Sequence, residues 1–162
     1  MKIKVGDKLP LAELFILDEN KAVKKIKSNS LLTSKKVIII GVPGAFTKVC
    51  SAKHLPGYVN NFQVAKNKGV NKIFCISVND PNVMSAWGES LKVEDKILMV
   101  GDPYCEFTKL IGAEVDKHEK GLGIRSSRYT MLVENGEVKK IEEEKDTATC
   151  KLSAAENFLK SI

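Results

Sequence analysis

The sequence predicts an α/β fold with a mixed central sheet flanked by helices. Three observations lead there. Short apolar runs, "KKVIIIGV" (35–42), "NKIFCISVND" (71–80) and "KILMV" (96–100), have the length and composition of strands buried on both faces. Helical patterns alternate with those runs, as parallel strands require. Late in the chain, "RYTMLVENGEVKKIEE" (128–143) reads as two strands joined at Asn135-Gly136, a strong hairpin signal that makes the sheet mixed.

The remaining elements follow in order. "LAELFILDENKAVKKI" (11–26) holds two short alternating runs about a D-E-N turn and predicts an N-terminal β-hairpin. A helix is expected over about 49–68, with Val59, Phe62, Val64 and Ala65 near helical spacing and Gly69 at its stop. Pro56 lies inside it and should kink or shift it. Asp80 or Asn79 caps the next helix, with Pro81 in its first turn and Val83, Met84, Trp87 and Leu91 along it. "DPYCEFTKLIG" (102–112) reads as a capped short helix ending at Gly112, and "KHEKGLGIRSS" (117–127) as a glycine-rich loop. A last helix is expected from about Ser153 to Ile162. This order fits a thioredoxin-like fold. The 162 residues hold no repeat or linker, so residues 1–162 read as a single domain.

Composition narrows the function classes. No apolar run approaches the roughly 20 residues of a membrane span, and "MKIKVGDKLP" lacks the apolar core of a secretory signal. The net charge is +6, but the lysines are scattered among acids, as in "KKIEEEK". That is a solvated surface rather than a nucleic-acid stripe. Of 26 lysines and arginines only Arg125 and Arg128 are arginine. A guanidinium offers a rigid fork of donors that lysine cannot supply, which makes one of the two a candidate for function, with surface composition as the other reading. The cysteines are Cys50, Cys75, Cys105 and Cys150, with no C-x-x-C among them. A thioredoxin-type dithiol and a zinc knuckle are therefore not expected, and a reducing, intracellular compartment is.

Cys50 stands out by position. It follows the strand at 37–42 and opens the next helix, beyond the carboxyl end of a strand, where α/β folds gather functional groups. The unpaired N–H groups of a helix start favour a thiolate, and the thiolate is the nucleophile. A buried, inert cysteine is the other reading of position alone.

The spelling around it adds more. "PGAFTKVCS" (43–51) has the form Pro-x-x-x-Thr-x-x-Cys and resembles the peroxidatic loop of the peroxiredoxins. With "HLPG" (54–57), "ISVNDP..M.AW" (76–87) and "EKGLGIRSSRYTMLV" (119–133), the chain resembles the type 5 (type II, atypical) subfamily from about "VGDKLP" to the last helix. The resemblance implies a thiol-dependent peroxidase acting on hydrogen peroxide and alkyl hydroperoxides, with no cofactor and no metal. Cys50 would be the peroxidatic cysteine and become a sulfenic acid. Thr47 would hold both sulfur and peroxide through its hydroxyl. Arg128 would stabilise charge on the separating oxygens. Pro43 would shield the thiol, and backbone N–H groups from Gly44 to Cys50 would add donors. Lys48-Val49 replaces the family's usual pair, often Pro-Thr, and should loosen the loop slightly.

The resemblance leaves the second half of the cycle open. "TATCKLSAAENF" (147–158) matches the animal-type stretch that carries a resolving cysteine, which makes Cys150 the leading candidate; "IFCISVND" (73–80) matches the plant-type position, which makes Cys75 the second. A one-cysteine route with an outside thiol is the third. The implied reductant is thioredoxin or glutaredoxin with glutathione. The implied assembly is a homodimer through the active-site face, with Phe46 and Trp87 as candidates. Cytosol, mitochondrion and plastid all remain, since a presequence beyond these residues would hide the difference. His54 is read as structural or substrate-side, Arg125 as a surface cation, His118 as solvated, and Trp87, Phe62 and Met84 as core or interface. The competing function is a thioredoxin-fold redox sensor or protein-binding module without efficient turnover.

Overall fold

The computed structural model describes residues 1–33 and 35–162. Its strands are β1 (Glu13–Leu17), β2 (Val23–Lys27), β3 (Lys36–Val42), β4 (Lys72–Ser77), β5 (Leu98–Gly101), β6 (Glu114–Asp116), β7 (Ile124–Ser126), β8 (Tyr129–Glu134) and β9 (Glu137–Glu143). Its α-helices are α1 (Leu55–Asn60), α2 (Phe62–Asn67), α3 (Pro81–Ser90), α4 (Glu106–Leu110) and α5 (Ala155–Lys160). Seven strands form one sheet in the order β2-β1-β5-β4-β3-β8-β9; β6 and β7 form a separate ribbon. β3, β4 and β5 run parallel, and β1, β8 and β9 join antiparallel, so the sheet is mixed and the fold thioredoxin-like.

Period-two alternation divides the core. Ile38, Ile40 and Val42 pack with Leu55, Tyr58, Ala65, Met84, Trp87 and Phe158, under α1, α2, α3 and α5. Val37 and Ile39 point the other way, to Leu14, Phe74, Ile76, Phe107, Tyr129 and Met131. The continuous apolar spelling of β3 is thus two alternating faces, each covered.

The caps follow the spelling. Asp80 accepts from the backbone N–H groups of Asn82 and Val83, and Pro81 takes the first helical position of α3. Asp102, fully buried, accepts from the N–H groups of Glu106, Phe107 and Thr108 and from the Thr108 hydroxyl at the start of α4. Asn135 and Gly136, at φ 51° and 81°, make the two-residue turn between β8 and β9.

Two expectations need correction, and the last helix keeps within its expected range. The single helix over 49–68 is a π-helical turn (Cys50–His54) followed by α1 and α2, with the second break at Asn61 (φ −100°). Pro56 falls in the first turn of α1, where its missing N–H is harmless; the wide turn before it, closed by Leu55 N–H donating to Cys50 O, gives its ring room. The glycine-rich stretch 117–127 is a loop only in part: it holds a 3-10 turn at His118–Lys120, and past Gly123 β7 returns to pair with β6, Val115 opposite Arg125. Finally, α5 begins at Ala155 and ends at Lys160, inside the range expected.

One glycine in the sheet is required by packing. A Cβ at Gly41 would lie 2.0 Å from Tyr129 Cε1, and Tyr129 is itself buried in the core opposite it. Gly41→Ala is expected to destabilise the fold by about 1–3 kcal/mol. Urea denaturation of the variant beside the parent checks this.

Candidate active site

The site begins where β3 ends. Pro43, which is buried, closes the strand and the chain turns at Ala45 and Phe46. Phe46 takes φ 60° and leaves its ring 58% exposed. Thr47 Oγ1 donates to Gly44 O at 2.8 Å, so its proton is spent on the loop while its lone pairs stay available. Ser51 N–H donates to Thr47 O at 3.0 Å as the chain becomes helical. Cys50 is fully buried at the start of the π-helical turn.

β8 brings the second component. Gly41 pairs with Tyr129, so one residue further along the register Arg128 stands beside the end of β3. Tyr129 belongs to the far core, and alternation therefore turns Arg128 and Thr130 to the face that holds Cys50, His54 and Tyr58. Arg128 is 1% exposed. Its Nη2 donates to Cys50 Sγ at 3.3 Å and to Thr147 O at 2.9 Å. Its Nε has no hydrogen-bond partner among the described residues.

Arg128 Nη1 lies 3.1 Å from His54 Nδ1. A guanidinium only donates, so Nδ1 accepts and the imidazole proton sits on Nε2. Nε2 then donates to Ser153 O at 3.1 Å. Tyr58 Oη and Thr130 Oγ1 also reach Ser153 O, each at 3.0 Å. Burial first, and the Arg128 charge second, push the His54 pKa down to about 3, with the Ser153 carbonyl opposing. His54 is neutral at physiological pH and acts as an acceptor that orients Arg128. In the sequence it stands only within the "HLPG" match, read as structural or substrate-side.

The two resolving candidates differ sharply. Cys75 is fully buried in β4, opposite Ile40 and Met99, and burial raises its thiol pKa well above the usual value. Cys150 is half-buried in the segment between β9 and α5; burial raises its pKa, and Arg128 opposes. That segment is held rather than loose. Glu144, 7% exposed, accepts from the N–H groups of Lys151 and Ser153 and from the Ser153 hydroxyl. Burial pushes the Glu144 carboxyl up, but these bonds outweigh it and the net direction is down. Nothing in the local spelling marks Glu144, Ser153 or Thr130 for such roles.

Other candidates fall elsewhere. Trp87 is fully buried and donates from Nε1 to Ser51 Oγ at 2.9 Å, which removes it from any dimer face; Phe46 remains exposed. Met84 is core, Phe62 packs at its edge, and His118 is exposed beside Asp116. Arg125 is not a free surface cation. It is half-buried, with Nε donating to Leu122 O at 2.8 Å and Nη1 to Asn79 Oδ1 at 3.3 Å, because β7 pairing carries it back beside the Pro43–Thr47 loop. The Ala45 N–H donates to Asn79 Oδ1 at 3.0 Å, so it is not among the free donors expected of that loop.

A buried thiol against a buried guanidinium, three residues after Thr47 and the Pro43–Thr47 loop, suits attack on an electrophilic oxygen. Residues 4–159 match the Redoxin family. Peroxiredoxin-2D of Arabidopsis thaliana is 40% identical over 160 residues, covering 99% of this chain and 98% of the relative. Reduced Prx3 from Vibrio vulnificus, solved with hydrogen peroxide, superposes with TM-score 0.91 at 40% identity over 98% of each chain. The chain belongs to the peroxiredoxins, in the type 5 (type II) branch. Peroxiredoxin 5 from Alvinella pompejana is also similar, with TM-score 0.85 and 32% identity over 98% of this chain and 97% of that one. The peroxiredoxin is accordingly a thiol peroxidase of thioredoxin-like fold. No helix among the described residues is long and apolar enough to cross a membrane.

The buried His54 sets a pH dependence for this peroxiredoxin. A folded pKa near 3 against an ordinary 6.5 means that the unfolded chain binds the extra proton. The stabilisation is complete above the ordinary value and is lost as pH falls from there toward the folded one. Between about pH 7 and pH 4 this group alone should remove roughly 3 kcal/mol of stability. Denaturant titrations across that range check it: His54→Asn should flatten the slope by that amount.

Proposed function

We propose that Cys50 is the peroxidatic thiol and Cys150 the resolving thiol of a two-cysteine cycle that reduces hydrogen peroxide and alkyl hydroperoxides. The observation that carries the reading is the 3.3 Å contact between Arg128 Nη2 and Cys50 Sγ, both buried. The Cys50 thiolate attacks the terminal oxygen of the hydroperoxide. The S–O bond forms as the O–O bond breaks, and the electron pair leaves on the second oxygen, which takes a proton to become water or an alcohol. Arg128 balances charge on the separating oxygens, with Nε as a donor still free. Thr47 Oγ1 accepts from the protonated peroxide oxygen. Pro43 limits water at the sulfur.

The Cys50 sulfenic acid then condenses with the Cys150 thiol, forming the disulfide and releasing water. A disulfide needs Cα atoms within roughly 7 Å, and local unwinding of the turn at Cys50 would give the two thiols that approach. A π-helical turn without a side-chain cap is suited to that. Cys75, locked between neighbouring strands, is not. An outside thiol reductant, thioredoxin or glutaredoxin with glutathione, returns both cysteines to thiols and is itself oxidised to a disulfide. Residues 1–162 act as one domain, paired as a homodimer through the face that presents Phe46. The compartment is intracellular; chloroplastic and mitochondrial relatives, from Arabidopsis thaliana and rice, support this at 44% and 42% identity.

Two measurements test this. Cys50→Ser should abolish peroxide consumption, whereas Cys75→Ser and Cys105→Ser keep the first oxidation step; turnover retained in Cys50→Ser refutes the assignment. Peptide mapping after one equivalent of peroxide, without reductant, should recover a Cys50–Cys150 disulfide. A persistent sulfenic acid, or a mixed disulfide with added glutathione and no internal bridge, removes Cys150 from the cycle.

A further inference from the structure

Arg125 occupies a place that the thiol chemistry does not itself require. A Cβ at Gly44 would lie 3.1 Å from Arg125 Nη1 and 3.1 Å from Thr47 Cγ2, so the guanidinium and the Thr47 methyl flank the same glycine. Asn79 Oδ1 sits at the junction. It accepts from Arg125 Nη1 at 3.3 Å, from Ala45 N–H at 3.0 Å and from Ser77 Oγ at 2.8 Å. Ser77 Oγ also lies 3.2 Å from Val42 O. The ends of β3 and β4, the Pro43–Thr47 loop and β7 therefore meet at one amide oxygen. The far side of Arg125 is anchored by Nε donating to Leu122 O at 2.8 Å.

Arg125 makes no hydrogen bond to Cys50 or Arg128 among the described residues, so its route to the sulfur runs through the loop. We propose that Arg125 is a positioning residue for peroxide reduction: through Asn79 and Gly44 it fixes the Pro43–Thr47 loop, and with it the Thr47 hydroxyl, in the geometry that receives the hydroperoxide. The inference rests on Cys50 being the peroxidatic thiol. The residue type fits the role. Nε and Nη1 point to acceptors on two different segments, and a planar fork holds both at once; a lysine ammonium on a flexible stem does not. This chain uses arginine at only two positions, and both adjoin the same loop-and-thiol unit.

A positioning role separates two reactions of the same sulfur. Peroxide reduction needs the oxygen pair held by the loop as well as the thiolate. Alkylation by iodoacetamide needs the thiolate and access to it, but not the oxygen pair held by the loop. Arg125→Met and Arg125→Lys should each slow single-turnover oxidation of Cys50 by hydrogen peroxide roughly tenfold or more, while Cys50 alkylation stays within about twofold of the parent. Asn79→Ala should give the same pattern, and Asn79→Ala with Arg125→Met should be no slower than the worse single variant, because both break one linkage. Peroxide rates within about twofold of the parent in the Arg125 variants overturn the proposal. So does an equal fall in alkylation and peroxide reduction, and so do losses that multiply in the double variant. Retained turnover in Cys50→Ser would instead remove the underlying assignment, whatever the Arg125 variants do.

Discussion

The structure turns on a buried cation. Arg128 is almost wholly enclosed, and a charge taken out of water costs several kcal/mol unless its surroundings compensate. Among the described residues its hydrogen-bond partners are the Cys50 sulfur, the His54 imidazole and the Thr147 carbonyl, and none of these is a carboxylate. The sulfur is the one partner able to carry a negative charge. The other two must therefore be good neutral acceptors, and they are. His54 accepts at Nδ1 because Nε2–H is committed to Ser153 O, and Ser153 O is fixed in turn by α1 and β8 through Tyr58 and Thr130. The polar network behind the thiol thus keeps a cation oriented without neutralising it.

The sheet makes that network possible. β3 and β8 pair antiparallel, so β8 starts where β3 stops. Alternation then sends Arg128 and Thr130 to the helical side and Tyr129 to the other, where Gly41 makes room for the ring. A one-residue slip in this register would exchange the two sets and put the guanidinium in the opposite core. The same register thus specifies the packing of Tyr129 and the placement of the site cation.

What was legible in the sequence was local. The strand at 36–42, the cap at Asp80 and the Asn135-Gly136 turn are written in contiguous residues, and each has a short-range physical cause. The Pro43, Thr47 and Cys50 spacing was legible for the same reason. The π-helical turn was not, because it differs from an α-helix only in how the chain accommodates Pro56. β6 and β7 are three residues each, too short to show a period. His54 to Ser153, Arg128 to Thr147 and Arg125 to Asn79 join side chains to partners far away along the chain. Bonds of that kind leave no spelling near either partner, which is why Arg125 read as surface charge.

One atom links the two cysteines of the proposed cycle. Arg128 Nη2 carries two hydrogens; one is directed at Cys50 Sγ and the other at Thr147 O, three residues before Cys150. While the sulfur can bear charge, the guanidinium is held toward it and the Cys150 segment is tied to the same group. In the proposed cycle, oxidation to a sulfenic acid would replace a sulfur able to carry charge with a neutral, bulkier group, and the attraction that holds Nη2 would weaken. In that cycle Thr147 would lose part of its anchor at the step that calls on Cys150. Glu144 and Ser153 hold the other end of the segment and have no bond to the sulfur, so they are unaffected by that change. In the proposed cycle the segment would be released at its Thr147 end and retained at its Ser153 end, a motion that would let Cys150 approach Cys50 without detaching α5.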